Sequence, residues 1–294
     1  MSFMQIDNLY RDQTILMFRE CYASEKLHGS SANISWDGIK VSFFSGGESY
    51  ARFVALFDVE KLTKLFAARF GINKATVYGE AYGGSQQGMS LTYGKELKFC
   101  AFGVEENDRF YDLHDAEMVA KEFDLDFVPY ERIPATVEAL DAQMNSPSVQ
   151  AVKNGCGNNT DKYGFCPPIR EGVVVYPINE FKNKWGSRVV CKHKRPEFQE
   201  RKNQPKVQDV DPEKMKALEC AEAVANEWVV SVRLEHVLDK LGNPRDLSMT
   251  GKVIQAMVED VMREGSGEIV DTKDVRKAIG AKAAKMYKTL CTKV

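Results

Sequence analysis

The segment Glu171-Gly172-Val173-Val174-Val175-Tyr176-Pro177 places three valines and a tyrosine between a glycine and a proline. A β-branched run bounded by turn residues predicts a strand. Six further runs of this kind predict strands over residues 40–44, 52–57, 76–78, 89–92, 99–104 and 189–194. Helical patterns over residues 59–70, 115–123 and 134–144 lie between some of them. This order of elements predicts an α+β fold built mainly from antiparallel sheets.

Capping residues mark several element boundaries. Asp58 can cap the N-terminus of the helix over 59–70, and Gly71 can end it. Pro134 is expected in the first turn of the helix over 134–144. Residues 146–168 are rich in Gly, Asn, Pro and Ser, so they predict a long loop.

The last part of the chain has a different character. Asp211 and Pro212 predict the start of a helix that runs on to Gly242. A second predicted helix ends at Gly265, and Thr272 can cap a third. The sequence therefore predicts a mixed domain over residues 1–205, followed by a small all-α domain over residues 206–294.

Composition limits the cellular setting. The chain contains no run of ~18 apolar residues, so no membrane span is expected. Its first residues lack the basic and apolar regions of a signal peptide. The 7 cysteines are scattered and form no CxxC pair, which is typical of reduced thiols. These features predict a cytoplasmic protein.

The charge distribution is more informative than the formal net charge of -2. Residues 182–206 contain nine Lys or Arg against two Glu, and residues 273–294 contain seven against one Asp. A local excess of positive charge is what a polyanion-binding surface needs. Two solvated faces, balanced by acids elsewhere, would give the same counts.

The segment Glu25-Lys26-Leu27-His28-Gly29-Ser30-Ser31 contains a lysine in an unusual setting. Small residues follow Lys26 and leave backbone N–H groups free for a phosphate. A lysine three residues before a glycine is a weak signal by itself, since Lys277 and Gly280 also match it inside a predicted helix. A lysine amine, with an ordinary pKa of ~10.4, becomes a nucleophile only when nearby cations, a metal or burial favour its neutral form.

Other residues could complete a site around such a lysine. Lys192 and Lys194 share one face of a predicted strand, although an exposed strand face would also explain them. Glu80 and Glu171 each lie beside a glycine at a strand end, where a carboxylate can hold a ribose hydroxyl or a divalent ion. Phe102 offers an aromatic face for a base, or it is an ordinary core residue.

Five ordered motifs resemble those of the covalent nucleotidyltransferase superfamily, which contains DNA ligases, RNA ligases and mRNA capping enzymes. They are Lys26-Leu27-His28-Gly29, Tyr78-Gly79-Glu80, the segment 99–102, Glu171-Gly172-Val173-Val174 and Lys192-His193-Lys194. Histidine at position 28 is the RNA ligase variant. Residues 194–200 also resemble the segment that closes the catalytic domain of phage double-strand RNA ligases and trypanosome RNA-editing ligases. The resemblance covers residues 10–202 and implies an ATP-grasp-like ligase domain.

The resemblance also implies roles. It implies ATP and Mg²⁺ or Mn²⁺ as cofactors. The implied substrate is RNA with 5′-phosphate and 3′-hydroxyl ends, in a nicked duplex or another form. The implied protein is a monomer that a phage could encode. Lys26 would be the nucleophile and Glu171 the metal-binding residue. The resemblance also assigns catalysis near the phosphates to His28, Lys192 and Lys194. Glu80 would bind the ribose, and Phe102 would stack on the base. The nucleotide pocket would further include Glu25, Glu171, Lys192 and Lys194.

Departures from the phage pattern leave alternatives open. Ser31 stands where asparagine is usual, and Phe43 and Phe44 stand where a Lys-Arg pair is frequent. Gly103 replaces an aspartate, and Tyr176 replaces a lysine. A DNA ligase or capping-type nucleotidyltransferase would normally place a β-rich domain where this chain predicts helices. An inactive RNA-binding module is the other alternative, and it would not need all the lysines and both acids.

Overall fold

The computed structural model describes residues 3–183, 186–198 and 221–292. The chain divides into two compact units, Met1–Glu197 and Phe198–Val294. The first unit is mixed α+β and carries both sheets. The boundary predicted at residues 205 and 206, and the helix start predicted at Asp211, lie outside the described residues.

The first unit contains two five-stranded sheets. Its strands are β1 Asp7–Asn8, β2 Glu20–Lys26, β3 Ser30–Trp36, β4 Val41–Phe44, β5 Ala75–Gly83, β6 Leu97–Glu106, β7 Arg109–Phe110, β8 Tyr130–Pro134, β9 Gly172–Pro177 and β10 Cys191–Lys194. One sheet has the order β1-β10-β9-β2-β8 and is antiparallel except for the β1–β10 pair. The other has the order β4-β3-β5-β6-β7 and is antiparallel throughout. The predicted fold class is confirmed.

Helices connect these strands and cover the sheets. They are α1 Tyr50–Val54, α2 Val59–Phe70, α3 Ser90–Tyr93, α4 Leu113–Glu122, α5 Val137–Asn145 and α6 Val149–Lys153. One face of the second sheet packs on an aromatic core in which Phe53 and Phe57 contact Phe99 at ring distances of 5.6 and 5.5 Å. A Cβ on Gly79 would lie 2.4 Å from the Phe99 ring, so the Phe99 ring of β6 can lie across the neighbouring strand β5 only at a glycine.

The described part of the second unit is helical. It contains α7 Ala221–Trp228, α8 Ser231–Lys240, α9 Thr250–Glu264 and α10 Lys273–Cys291. Their apolar faces form one core, which includes Trp228, Val253, Met257, Ile279 and Tyr287. No helix in the described ranges has both the length and the apolar character needed to cross a membrane.

Several predicted boundaries are confirmed by cap geometry. The Asp58 side chain accepts from the Lys61 N–H, and α2 ends before Gly71. The Thr272 hydroxyl accepts from the Val275 N–H at the start of α10. Gly265 follows the last residue of α9.

Three predictions in the first unit are wrong. The sequence predicts strands over residues 52–57 and 89–92, but α1 covers residues 52–54 and α3 covers residues 90–92. Phe53 and Phe57 are four residues apart and contact each other, which is the spacing of a helical turn rather than of a strand. The helix expected from Pro134 begins at Val137, because Thr136 provides the cap and Pro134 ends β8.

Two further expectations change. The predicted loop over residues 146–168 contains α6, which Ser148 caps by accepting from the Ala151 N–H. The first helix of the second unit does not run unbroken to Gly242, since α7 ends at Trp228 and α8 begins at Ser231. The Trp228 carbonyl instead accepts from the buried Arg233 side chain, at 3.0 Å.

Candidate active site

Lys26 is the last residue of β2, and β9 holds it beside Glu171. In the sheet register both Lys26 and Lys194 lie opposite Gly172, one from each neighbouring strand. Paired residues of a sheet point to the same face, so both ammonium groups converge near Glu171. A Cβ on Gly172 would lie 2.1 Å from the His193 carbonyl oxygen, so β10 can approach this closely only at a glycine.

The Glu171 carboxylate is the centre of the cluster. Its Oε2 lies 2.9 Å from Lys26 Nζ and 3.1 Å from His28 Nδ1, and its Oε1 lies 2.8 Å from Lys194 Nζ. The Glu171 side chain is only 2% exposed and that of Lys194 only 7%, whereas 25% of Lys26 is exposed. The nucleophile predicted from the sequence is therefore the accessible member of a buried charge cluster.

Burial and charge set the protonation states. Burial raises the pKa of Glu171, but Lys194, Lys26 and His28 outweigh it and hold that pKa well below the ordinary value. Burial lowers the pKa of His28, and the Glu171 charge opposes that shift. At pH 7 Glu171 is therefore ionised and His28 is neutral. A neutral His28 donates from Nδ1 to Glu171, which leaves its Nε2 as an acceptor.

Glu80 joins the site from the other sheet. Its Oε1 accepts from the Gly29 N–H at 3.0 Å, so it is tied to the loop that follows Lys26. Burial raises the pKa of Glu80 to about 7, although the Lys26 charge lowers it. Glu80 is therefore close to half ionised at neutral pH.

Glu25 does not join this cluster. Successive side chains of a strand point to opposite faces, so Glu25 lies behind Lys26. It accepts from the Ser148 hydroxyl at 2.5 Å and from the N–H groups of Val149 and Gln150 at 2.9 and 3.1 Å. Its carboxyl group thus anchors the N-terminus of α6, and its place in the nucleotide pocket stays a prediction.

Phe102 and Lys192 lie beside the cluster rather than in it. Phe102 is at a bulge of β6, where the register shifts opposite Tyr78 and Gly79. Its ring packs edge-on against Phe3 at 5.0 Å, and Phe3 also contacts Tyr78 at 4.9 Å. Lys192 lies opposite Val174, two residues before Lys194 on the same face of β10.

The donor set can be tested against a divalent ion. Among the described residues, no group of three or more His, Cys, Asp or Glu could hold a metal. Glu171 and Glu80 offer carboxylate oxygens, which are the ligands that Mg²⁺ and Mn²⁺ prefer. These oxygens fit an ion that phosphate oxygens and water also coordinate, as is usual for Mg²⁺ with nucleotides.

Sequence reasoning missed several residues that support the site. The Tyr93 hydroxyl accepts from the His28 N–H at 3.4 Å, and Gln86 joins the Ser30 hydroxyl to Glu48 through bonds of 2.7 Å each. These partners come from distant segments, and no local spacing marks them. The sequence marks Arg188 only as part of a basic segment, yet its side chain is buried.

The comparisons with known proteins place the chain in a family. A family model described as RNA ligase matches residues 19–194, which is more than half of the 294 residues. The chain therefore belongs to the RNA ligase family. A search of curated proteins finds no match.

Solved structures of Naegleria gruberi RNA ligase are similar to this chain. A mutant with ATP and Mn and a form with PPi each have 16% sequence identity and a TM-score of 0.49. Each match covers 67% of this chain and 57% of the other. This chain thus spans little more than half the length of these Naegleria proteins.

Proposed function

We propose that this protein is an ATP-dependent RNA ligase that joins 5′-phosphate and 3′-hydroxyl ends through a lysyl-AMP and an adenylated RNA. One observation carries the proposal: Lys26, in a segment matched by the RNA ligase family, is the accessible cation of a buried cluster with Glu171, Lys194 and His28. Such a cluster serves no hydrophobic core, and perturbed buried groups in a cleft are typical of a catalytic site.

In the first step the neutral amine of Lys26 attacks the α-phosphorus of ATP. A P–N bond forms, the bond to the β-phosphate oxygen breaks, and pyrophosphate leaves with the electron pair. The nitrogen becomes positively charged when this bond forms, and it then loses one proton to solvent. Glu80 holds the ribose hydroxyls, Phe102 stacks on the base, and Lys194 and Lys192 offset the charge that develops on the phosphates. The unprotonated Nε2 of His28 can accept a hydrogen bond or a proton beside them.

Two further steps join the RNA. An oxygen of the 5′-phosphate attacks the AMP phosphorus, the P–N bond breaks, and Lys26 regains a proton. The 3′-hydroxyl then attacks the 5′-phosphate, loses its proton, and expels AMP. Lys26 thereby returns to its starting state.

Glu171 would hold the Mg²⁺ or Mn²⁺ ion, since Glu80 is assigned to the ribose. A divalent ion bound there with the triphosphate would supply positive charge that makes the α-phosphorus more electrophilic. Glu171 Oε2 pairs with Lys26 Nζ at 2.9 Å, so a cation held by Glu171 would compete with this pair and free the amine for attack.

RNA binding is proposed for the helical unit as well. On α10, Lys273, Lys277, Lys285 and Lys288 are exposed and lie within one side of the helix. The apolar residues Val275, Ile279 and Tyr287 occupy the other side. Each phosphate contact made by these lysines should add about 0.7 to 0.9 to the slope of log affinity against log salt.

Labelled ATP tests the covalent step. The wild type should retain AMP label on a denaturing gel and lose it when pyrophosphate is added. Lys26→Ala should show no label and remain folded. Lys277→Ala is the matched control, because this lysine has the same spacing to a glycine and lies on an exposed helix face. Label on the Lys26→Ala protein, or no label on the wild type, would contradict the proposal.

Substrate assays separate the alternatives. The adenylated protein should seal nicks that have RNA on both sides of the break. Exclusive sealing of DNA nicks would indicate a DNA ligase, and transfer of the nucleotide to a 5′-diphosphate end would indicate a capping-type enzyme. Replacing Lys277 and Lys285 by glutamine should lower the salt slope of RNA binding. Lys252→Gln, on α9 of the same unit, should leave it unchanged.

A further inference from the structure

Arg188 is a buried arginine that the mechanism above does not use. It precedes β10, and its side chain is only 6% exposed. Its Nε donates to Glu180 Oε2 at 2.8 Å, and its Nη2 pairs with Oε1 of the same carboxylate. Its Nη1 is buried and has no hydrogen-bond partner among the described residues. Glu180 thus fixes the guanidinium while one nitrogen stays unsatisfied.

The guanidinium packs against a ring cluster that Phe3, Tyr78, Phe102 and Phe110 form. Arg188 Cζ lies 3.6 Å from the centre of the Phe110 ring. The Phe110 ring packs against Phe3 at 5.8 Å, and Phe3 packs against Phe102 at 5.0 Å. Burial raises the pKa of Tyr176 to about 12, and the Arg188 charge opposes this shift, so Arg188 also lies within electrostatic reach of β9.

The cluster lies on the same face of the sheet as Glu80. Tyr78 and Glu80 are two residues apart on β5, so their side chains point to one face about 7 Å apart along the strand. Tyr78 stacks on Phe110 at 5.8 Å. A nucleotide whose ribose is held by Glu80 would therefore extend its base towards the ring cluster and Arg188.

We propose that Arg188 is a base-reading residue, whose Nη1 donates a hydrogen bond to a ring-nitrogen acceptor of the purine stacked on Phe102. This inference rests on the proposed function. A buried donor without an acceptor is unfavourable, and an acceptor on the base removes that penalty. An amino group on a base cannot accept, so the same donor rejects a base that presents one there. Glu180 is the positioning residue, because it holds two of the three guanidinium nitrogens.

Adenine nucleotides that lack a single ring nitrogen test the inference. AMP and its 1-deaza, 3-deaza and 7-deaza analogues are titrated against the full chain by calorimetry. The wild type should bind one analogue more weakly than AMP, by about ten- to a hundredfold, because that analogue leaves Nη1 unpaired. In Arg188→Met the affinity for AMP should fall and the difference between AMP and that analogue should vanish.

Controls separate base reading from a structural role. Arg188→Lys retains the positive charge, so the protein should remain folded. It lacks the planar guanidinium with its Nη1 donor, so the variant should lose the discrimination between AMP and the analogue. Glu180→Gln should reduce the discrimination. Arg132→Met is the matched control, since Arg132 also pairs with a glutamate, Glu20, but at an exposed sheet edge. It should leave the discrimination intact.

The outcomes distinguish this inference from the proposed function. Equal discrimination in wild type and Arg188→Lys, or no discrimination in the wild type, would overturn base reading while leaving covalent labelling of Lys26 untouched. A wild type that distinguishes AMP from one analogue but never becomes labelled with AMP would overturn the ligase proposal alone. A wild type that binds no adenine nucleotide would overturn both.

Discussion

Replacing Glu171 with glutamine should reveal how much energy the charge cluster holds. The substitution preserves side-chain size but leaves Lys194, which is 7% exposed, without its carboxylate partner. Removing one member of a buried ion pair costs about 3–5 kcal/mol of unfolding free energy. Lys26→Met should cost at most about 1 kcal/mol, because the Lys26 side chain is 25% exposed and such pairs contribute little. The two variants remove opposite members of the same contact.

A double-mutant cycle measures how much unfolding free energy comes from the pair of Glu171 and Lys194. Glu171→Gln combined with Lys194→Met should cost about 1–3 kcal/mol less than the sum of the single changes. The measurement is amide hydrogen exchange of β2 and β9 at increasing urea, which reports on the first unit alone. Additive costs, or a Glu171→Gln cost no larger than that of Lys26→Met, would refute the reasoning that Glu171 holds the cluster together.

The pH dependence supplies an independent check on sign. The pKa of Glu171 in the folded protein lies well below the ordinary 4.5, so its charge stabilises the fold above that pH. This contribution is lost as the pH falls through the folded-state pKa. The difference in unfolding free energy between wild type and Glu171→Gln should be complete at pH 7 and should shrink below about pH 4.5.

Three further predictions concern neighbouring residues. Because the pKa of Glu80 is raised to about 7, AMP affinity should increase from pH 6 to pH 8 as this carboxylate ionises and accepts the ribose hydroxyls, and calorimetry of Glu80→Gln should show a flat profile. Glu25→Gln should lower the urea stability of the first unit by about 1–3 kcal/mol, since one of the two oxygens that accept from Ser148 and from the start of α6 becomes an NH₂ donor, yet AMP affinity should stay within about twofold. Asp58→Ala removes the cap of α2 and should cost about 1 kcal/mol in the same urea measurement, whereas Glu138→Ala, in the first turn of α5 but not at its cap, should cost much less.

Local signals predicted the elements whose ends have caps and whose residues follow one period. The Asp58 and Gly71 signals bound α2, and the valine run after Glu171 is β9. The prediction failed where burial overrides propensity. Residues 52–57 contain the aromatic and β-branched residues of a strand, but their packing on Phe99 requires a helical turn.

The site shows the same division. Lys26, His28, Glu171 and Lys194 could be chosen from sequence because residue type and order are local information, and the structure brings them together. The sequence could not show which neighbouring group forms a hydrogen bond with each carboxylate. Glu25 and Lys26 are adjacent in sequence, yet strand alternation sends one to α6 and the other to Glu171.

The proposed adenylation of Lys26 would change the charge at the centre of this site. The ammonium carries one positive charge, whereas the linked AMP brings a negative phosphate. The positive charge of Lys26 lowers the pKa of both Glu80 and His28, so its loss should raise both. A higher pKa at His28 brings an imidazolium form within reach beside the phosphate, just when the RNA 5′-phosphate must approach an AMP of like charge. An NMR titration of the His28 ring should therefore give a higher pKa in the adenylated protein than in the free protein, with Lys26→Met, which lacks the charge but carries no phosphate, between them. An unchanged His28 pKa on adenylation would mean that burial alone sets its protonation, and that the cluster does not respond to the state of Lys26.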